Sequence, residues 1–208
     1  NPIEIPTIKI EKVQDNKELE NEIKNLKDYT YLVLTSKNGV DIFFDKLDEI
    51  GLDCRALANI KVCSIGAATS KAIIRRGIKP DIQPEKAVGE SLYDELKDIV
   101  SKEDKILIPR AKNAREFLVK KLNEISNVTE VVTYESVMDD SKKEEAINAL
   151  EEGNLDYITF ASSSTVTNFI NLIGEENKDK LSNTKIISIG KITTKTILDN
   201  GLEVYKES

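Results

Sequence analysis

A stretch of sequence that occurs twice limits the possible folds of this chain more than any other property. LVLTSKNGVDIFFDKL around Val40 returns as ITFASSSTVTNFINLI around Val166, 126 positions later (166 − 40), with its apolar residues in the same places. KVCSIGAATSKAIIRRGI (61–78) returns as KIISIGKITTKTILDNGL (185–202), which sets Gly66 and Gly190 124 positions apart (190 − 66). Each copy reads as a short apolar strand, a hydroxyl-rich turn and an amphipathic helix, followed by a second such series. A duplicated unit of this kind predicts two similar lobes with a ligand cleft between them.

Strands and helices alternate through the first copy and beyond it. A polar helix is expected near 17–26, a strand at 31–36, and a helix through Phe43, Phe44 and Leu47. Strand 61–66 and a helix over 69–76 follow, then a short strand in KPDIQP (79–84), a helix over 89–100, strand KILIPR (105–110) and a helix through Phe117, Leu118 and Leu122. This order predicts an α/β fold with parallel sheets and right-handed crossovers. Two segments of alternating apolar residues flank the series, Ile3 to Val13 and TEVVTYESVMDD (129–140), and they read as the strands of a two-stranded β tether. The expected organisation is a first tether strand over 1–15, a complete α/β lobe over 16–128, a return strand over 129–140 and a second lobe over 141–208. Measured against the first lobe, the second lacks counterparts of the 105–122 strand-helix unit and of the 89–100 helix, as though trimmed at both ends.

Composition narrows the chemistry. The 208 residues suit two lobes of ordinary domain size. With no histidine in the chain, an imidazole base, a Ser-His-Asp triad and a haem histidine ligand are all ruled out. The two cysteines, Cys54 and Cys63, read as reduced structural thiols, too few for a typical zinc site. A net charge of −7 and no basic stripe argue against sequence-independent nucleic-acid binding. No apolar run reaches membrane-spanning length and no leader pattern is present, which predicts a cytoplasmic protein with no membrane partner.

Polar residues gather at the strand-to-helix turns: Ser36, Lys37 and Asn38; Gly66 and Thr69; Ser162, Ser163 and Ser164; Thr193 and Thr194. A fifth turn adds Arg110. In open α/β sheets ligands bind outside the carboxyl ends of the strands, where unpaired N–H groups and helix dipoles favour anions. Serine, threonine and asparagine are also the ordinary helix caps, so any one turn reads first as structural. Recurrence at matching positions of both copies is what points to an anionic ligand. Gly66 and Gly190 lack a dinucleotide or P-loop context. Tyr134, in the return strand, is a candidate proton donor, against a plain strand tyrosine packing on its partner.

At these residues the chain resembles the uroporphyrinogen-III synthase family. LVLTSKNGV, CSIGAATSKAI with GIKPDIQP, ILIPRAKNAREFLVKKL, VTYESV, FASSSTVTNF and ISIGKITTKTILDNGL follow the family's order along nearly the whole chain. The resemblance implies two α/β lobes joined by a two-stranded ladder, and a lyase that needs no cofactor or metal. Hydroxymethylbilane, which carries eight carboxylates, loses its terminal hydroxyl as water. The substituted carbon of ring D attacks the resulting azafulvene to form a spiro intermediate, and fragmentation and reclosure invert that ring. By position, Tyr134 assists hydroxyl loss. Ser36, Thr69, Ser162, Ser163, Thr193 and Thr194 match cleft positions that bind substrate carboxylates. Lys191-Ile192 departs from the family's usual Gly-Pro opening of that turn. The resemblance further implies a monomer, fused in some family members to a tetrapyrrole methyltransferase. The rival reading is a two-lobed, non-catalytic binding protein for an anionic small molecule.

Overall fold

The computed structural model describes residues 2–153 and 155–208. The chain divides into two compact units and passes between them twice: Ile10–Ser136 form the larger, and the residues up to Lys9 with Val137–Ser208 form the smaller.

The larger unit begins in β1 (Ile8–Lys12) and turns into α1 (Lys17–Lys24). Asn16 caps that helix, its Oδ1 accepting from Leu19 N at 3.0 Å while its Nδ2 donates to the Val132 carbonyl at 2.8 Å. A cap that also ties down a distant strand fixes where the helix starts. Then come β2 (Tyr31–Leu34), α2 (Lys37–Glu49), β3 (Lys61–Ser64), α3 (Ala67–Arg75), α4 (Gly89–Leu96), β4 (Lys105–Ala111), α5 (Phe117–Ile125) and β5 (Asn127–Met138). The strand order is β1-β5-β4-β2-β3, and the β2–β3, β2–β4 and β4–β5 pairs are parallel. All four residues of β2 are buried, as a strand covered on both faces requires. Leu32 and Leu34 enter one core with Phe43, Leu47 and Ile73; Tyr31 and Val33 enter the other with Leu92, Leu96 and Leu122.

Three expectations change here. KPDIQP forms no strand, only an isolated bridge between Cys63 and Ile82, because Pro80 and Pro84 remove ladder donors on either side. The helix expected over 89–100 stops at Leu96. β5 does more than return: it pairs with β4 from Asn127 to Tyr134, so half of the expected tether is a strand of this unit's sheet.

That β4–β5 ladder carries a bulge. Arg110 pairs with Val132 but Ala111 pairs with Tyr134, which leaves Thr133 as the extra residue. Thr133 Oγ1 donates to the Arg110 carbonyl at 3.1 Å, and Lys112 N donates to the Tyr134 carbonyl at 2.8 Å. Residues three apart in a regular strand face opposite ways. The bulge brings Val131 and Tyr134 into the same core.

The smaller unit comprises α6 (Lys143–Glu151), β6 (Tyr157–Phe160), α7 (Ser163–Ile173), β7 (Lys185–Ser188), α8 (Lys191–Asp199) and β8 (Lys206–Glu207), with sheet order β6-β7-β8 and parallel pairs. Its core of Phe160, Val166, Phe169, Ile170, Ile186 and Ile197 lies on one face of that sheet. Tyr157 and Tyr205 stand exposed, with the Lys185 ammonium 5.2 and 5.0 Å from their rings.

Candidate active site

In the larger unit β2 runs into α2 through Thr35 and Ser36, and Ser36 is the N-cap: its Oγ accepts from Gly39 N at 2.9 Å. The same oxygen lies 2.8 Å from Tyr134 Oη. Tyr134 is buried; it sits just past the β5 bulge, and its hydroxyl reaches the end of β2, with β4 as the strand between the two. The two hydroxyls own two protons and share one between them, so one O–H of the pair stays available to a third group. That pair can protonate a leaving oxygen.

Around it, Lys37 is exposed and Asn38 half-buried at the start of α2. The adjacent turn leads from β3 into α3, with Gly66 as an N-cap that has no side-chain bond and Thr69 buried in the first turn. A Cβ at Gly66 would come within 2.5 Å of Ala87 Cβ, so the close approach of that loop requires glycine. Arg110 differs from its sequence expectation. The guanidinium is buried, pairs with Glu130 at 2.7 Å and donates to the Ala114 carbonyl, so its charge is already answered within the unit. No local pattern signals the pairing, because Glu130 reaches Arg110 across the β4–β5 ladder. Arg115, which sequence reasoning passed over, is exposed; with Thr35, Ile65, Val88 and Phe117 it lines a cavity of about 320 Å³.

In the smaller unit Ser162 caps α7 in a capping box with Thr165: Thr165 N donates to Ser162 Oγ and Ser162 N to Thr165 Oγ1, both at 3.2 Å. Ser162 Oγ lies 2.9 Å from Ser164 Oγ, the position where Ser36 meets a phenol. Ser163 is half-buried beside it. At α8, Thr193 is buried like Thr69, and Gly190 again caps without a side chain. The Thr194 hydroxyl is held between Ser188 at 2.5 Å and Glu207 at 2.6 Å, inside its own unit. Among the described residues no cluster of His, Cys, Asp and Glu side chains is arranged to hold a metal ion, and no helix is long and apolar enough to cross a membrane.

Parallel sheets whose strand ends carry capped, hydroxyl-lined turns, one of them with a Ser-Tyr pair, define the class: a mixed α/β protein whose polar groups gather at its strand-to-helix turns. A family model for uroporphyrinogen-III synthase HemD matches residues 1–208. The chain is 35% identical over 171 residues to a porphyrin biosynthesis protein HemD of Ruminiclostridium josui, covering 81% of this chain and 34% of that one. It is 28% identical over 202 residues to a uroporphyrinogen-III synthase of Synechococcus elongatus, covering 93% and 75%. The crystal structure of the Helicobacter pylori uroporphyrinogen-III synthetase is similar in fold, with a TM-score of 0.61 at 20% identity over 96% of this chain and 83% of that one. The chain belongs to the uroporphyrinogen-III synthase family, the cyclising lyases of porphyrin biosynthesis that act on hydroxymethylbilane.

Proposed function

We propose that this chain closes hydroxymethylbilane to uroporphyrinogen III with inversion of ring D, and that the Ser36–Tyr134 pair supplies the proton that departs with the terminal hydroxyl as water. The 2.8 Å contact between the two hydroxyls is the observation that carries this reading. The C–O bond breaks as the oxygen takes that proton and leaves as water; the pyrrole left behind, still holding its N–H, is the electrophilic azafulvenium cation, balanced by the negative charge left on the donor pair, and loss of the N–H proton gives the neutral azafulvene. Ring closure through the spiro intermediate needs the substrate held in one shape rather than further acid-base groups. Ser36, Lys37, Asn38, Gly66 and Thr69 in the larger unit, with Ser162, Ser163, Ser164 and Thr193 in the smaller, are proposed to meet the substrate carboxylates, each copy presenting its own turns. Arg110 is proposed to shape the 109–113 turn, since its guanidinium is spoken for.

The finer organisation belongs to the same proposal: two lobes, with β1 and β5 as the strands that join them, and a smaller lobe whose β6 edge takes the counterpart of β4. The repeat supports it, since β6 corresponds to β2 and β2 has neighbours on both sides. We further propose a cytoplasmic monomer, joined in some relatives to a methyltransferase; the chain spans 34% of the Ruminiclostridium josui relative.

The test is incubation with hydroxymethylbilane, oxidation, and separation of the uroporphyrin isomers. An excess of type III over the spontaneous type I establishes the ring-inverting reaction. Tetrapyrrole binding with type I alone would return the chain to the non-catalytic reading.

A further inference from the structure

The last residue of β3, Ser64, is fully buried, and its Oγ lies 2.5 Å from that of Ser70 in α3. Ser70 donates in turn to Gln83 Oε1 at 2.5 Å. The last residue of β7, Ser188, is equally buried and 2.5 Å from Thr194 Oγ1, which donates to Glu207 Oε2 at 2.6 Å. All three members recur at the same displacement of 124 (188 − 64, 194 − 70, 207 − 83). Serine has become threonine and glutamine has become glutamate, yet each position keeps its donor or acceptor part.

One proton per hydroxyl sets the direction of both chains. Ser70 spends its proton on Gln83, so Ser64 must donate to Ser70; Thr194 spends its proton on Glu207, so Ser188 must donate to Thr194. A hydroxyl inside a helix ordinarily bonds back to its own preceding turn. These two turn away from their helices, toward the strand end behind them and the extended segment beyond. Each chain thereby straddles one turn, 65–69 or 189–193. Those turns have no side-chain cap of their own, since α3 and α8 begin at Gly66 and Gly190. Both glycines are extended, at φ 177° and 169°. The first N–H groups of each helix are therefore left to whatever binds there.

We infer that Ser64–Ser70–Gln83 and Ser188–Thr194–Glu207 are twin positioning devices that hold the Gly66–Thr69 and Gly190–Thr193 turns in carboxylate-binding shape. This rests on the proposed reading of those turns as substrate contacts. Thr194 thereby moves from substrate contact to positioning residue, and Ser70 joins it. Fixing the N–H directions before binding lowers the cost of ordering them in the complex. The devices consequently act on affinity and leave the Ser36–Tyr134 chemistry alone.

The experiment uses the full chain and two probes, hydroxymethylbilane for turnover and uroporphyrin III for equilibrium binding, with thermal unfolding alongside. Ser70→Ala and Thr194→Ala are each expected to raise KM and the uroporphyrin Kd about two- to tenfold, the worth of one buried hydrogen bond, with kcat within about twofold. Ser70→Thr and Glu207→Gln keep the donor and the acceptor and should stay at wild-type Kd. Exposed Glu207→Ala, which can be made without disturbing a core, should move Kd in the same direction as Thr194→Ala. Unchanged Kd in the alanine variants, with or without a fall in Tm, overturns the inference, as does a wild-type chain that binds no uroporphyrin. A wild type that binds uroporphyrin and shows these shifts but makes no type III isomer overturns the proposed reaction and leaves the positioning role standing.

Discussion

β2-α2-β3-α3 and β6-α7-β7-α8 are built from the same pattern, and they end in different surroundings. Tyr31 opens β2 with Lys61 5.5 Å from its ring, and Tyr157 opens β6 with Lys185 in the same relation. Tyr31 is 3% exposed beneath α4 and α5, whereas Tyr157 is 50% exposed. Ile65 is half-buried after β3, while its counterpart Ile189 is 60% exposed. Local sequence makes the element, and the elements that pack on it decide whether a given face becomes core. The chemistry is unequal in the same way: Ser36 meets a buried phenol, and Ser162 meets the aliphatic hydroxyls of Ser164 and Thr165 in its own turn.

Matched substitutions put this comparison at risk. Tyr31→Ala should cost about 3–5 kcal/mol in chemical denaturation, as for a buried aromatic, whereas Tyr157→Ala should cost less than about 1 kcal/mol; equal losses would mean that the second copy's bare face is covered in solution. Next in size is activity. Tyr134→Phe should lower kcat about a hundredfold, roughly 2.7 kcal/mol in the barrier, at nearly unchanged Kd for uroporphyrin III. Ser36→Ala should lower kcat as well as stability, while Ser162→Ala should lose about 1 kcal/mol of capping with kcat unaffected by any phenol contact. Should Ser162→Ala prove the more damaging to kcat, the proton donor has been placed in the wrong copy.

Smaller effects separate the two glycines. Gly66→Ala forces a methyl against the Ala87 loop and should cost about 1–3 kcal/mol. At Gly190, among the described residues, no atom beyond its chain neighbours and its own helix backbone lies within 4 Å of the added carbon, so Gly190→Ala should change unfolding by less than about 1 kcal/mol in either direction. Smallest of all is Cys63→Val, which makes the first copy resemble the second at Ile187 and should stay within about 1 kcal/mol. Burial pushes the Cys63 thiol up to about 12, so alkylation at pH 8 should label half-buried Cys54 well before Cys63. Rapid labelling at Cys63 would show that β3 opens readily.

Much of the larger unit could be read from residues alone. The unbroken apolar run of β2 and the hydroxyl residues Ser36 and Ser162 at helix starts are local signals; all four β2 residues are buried and both serines are N-caps. Other features depended on partners far along the chain. Arg110 read as a cation for the ligand because it sits in a strand-to-helix turn; Glu130, arriving from the next strand, pairs with it. Thr194 read as a ligand contact because its turn is polar, and it proves to be answered by Ser188 and Glu207. Tyr134 was identified by its place in VTYESV, but its approach to Ser36, 98 positions away, depends on one unpaired residue at Thr133.

The sequence by itself determined the duplication, the alternation of strand and helix, and the polar turns at the strand ends, because periodicity and capping are written within a few residues. Only the tertiary structure decided which sheet faces are covered, which charges are already paired and which hydroxyl meets the tyrosine. Those outcomes turn on register and on ångström distances between residues tens of positions apart, and a single bulge reverses the facing of every side chain after it.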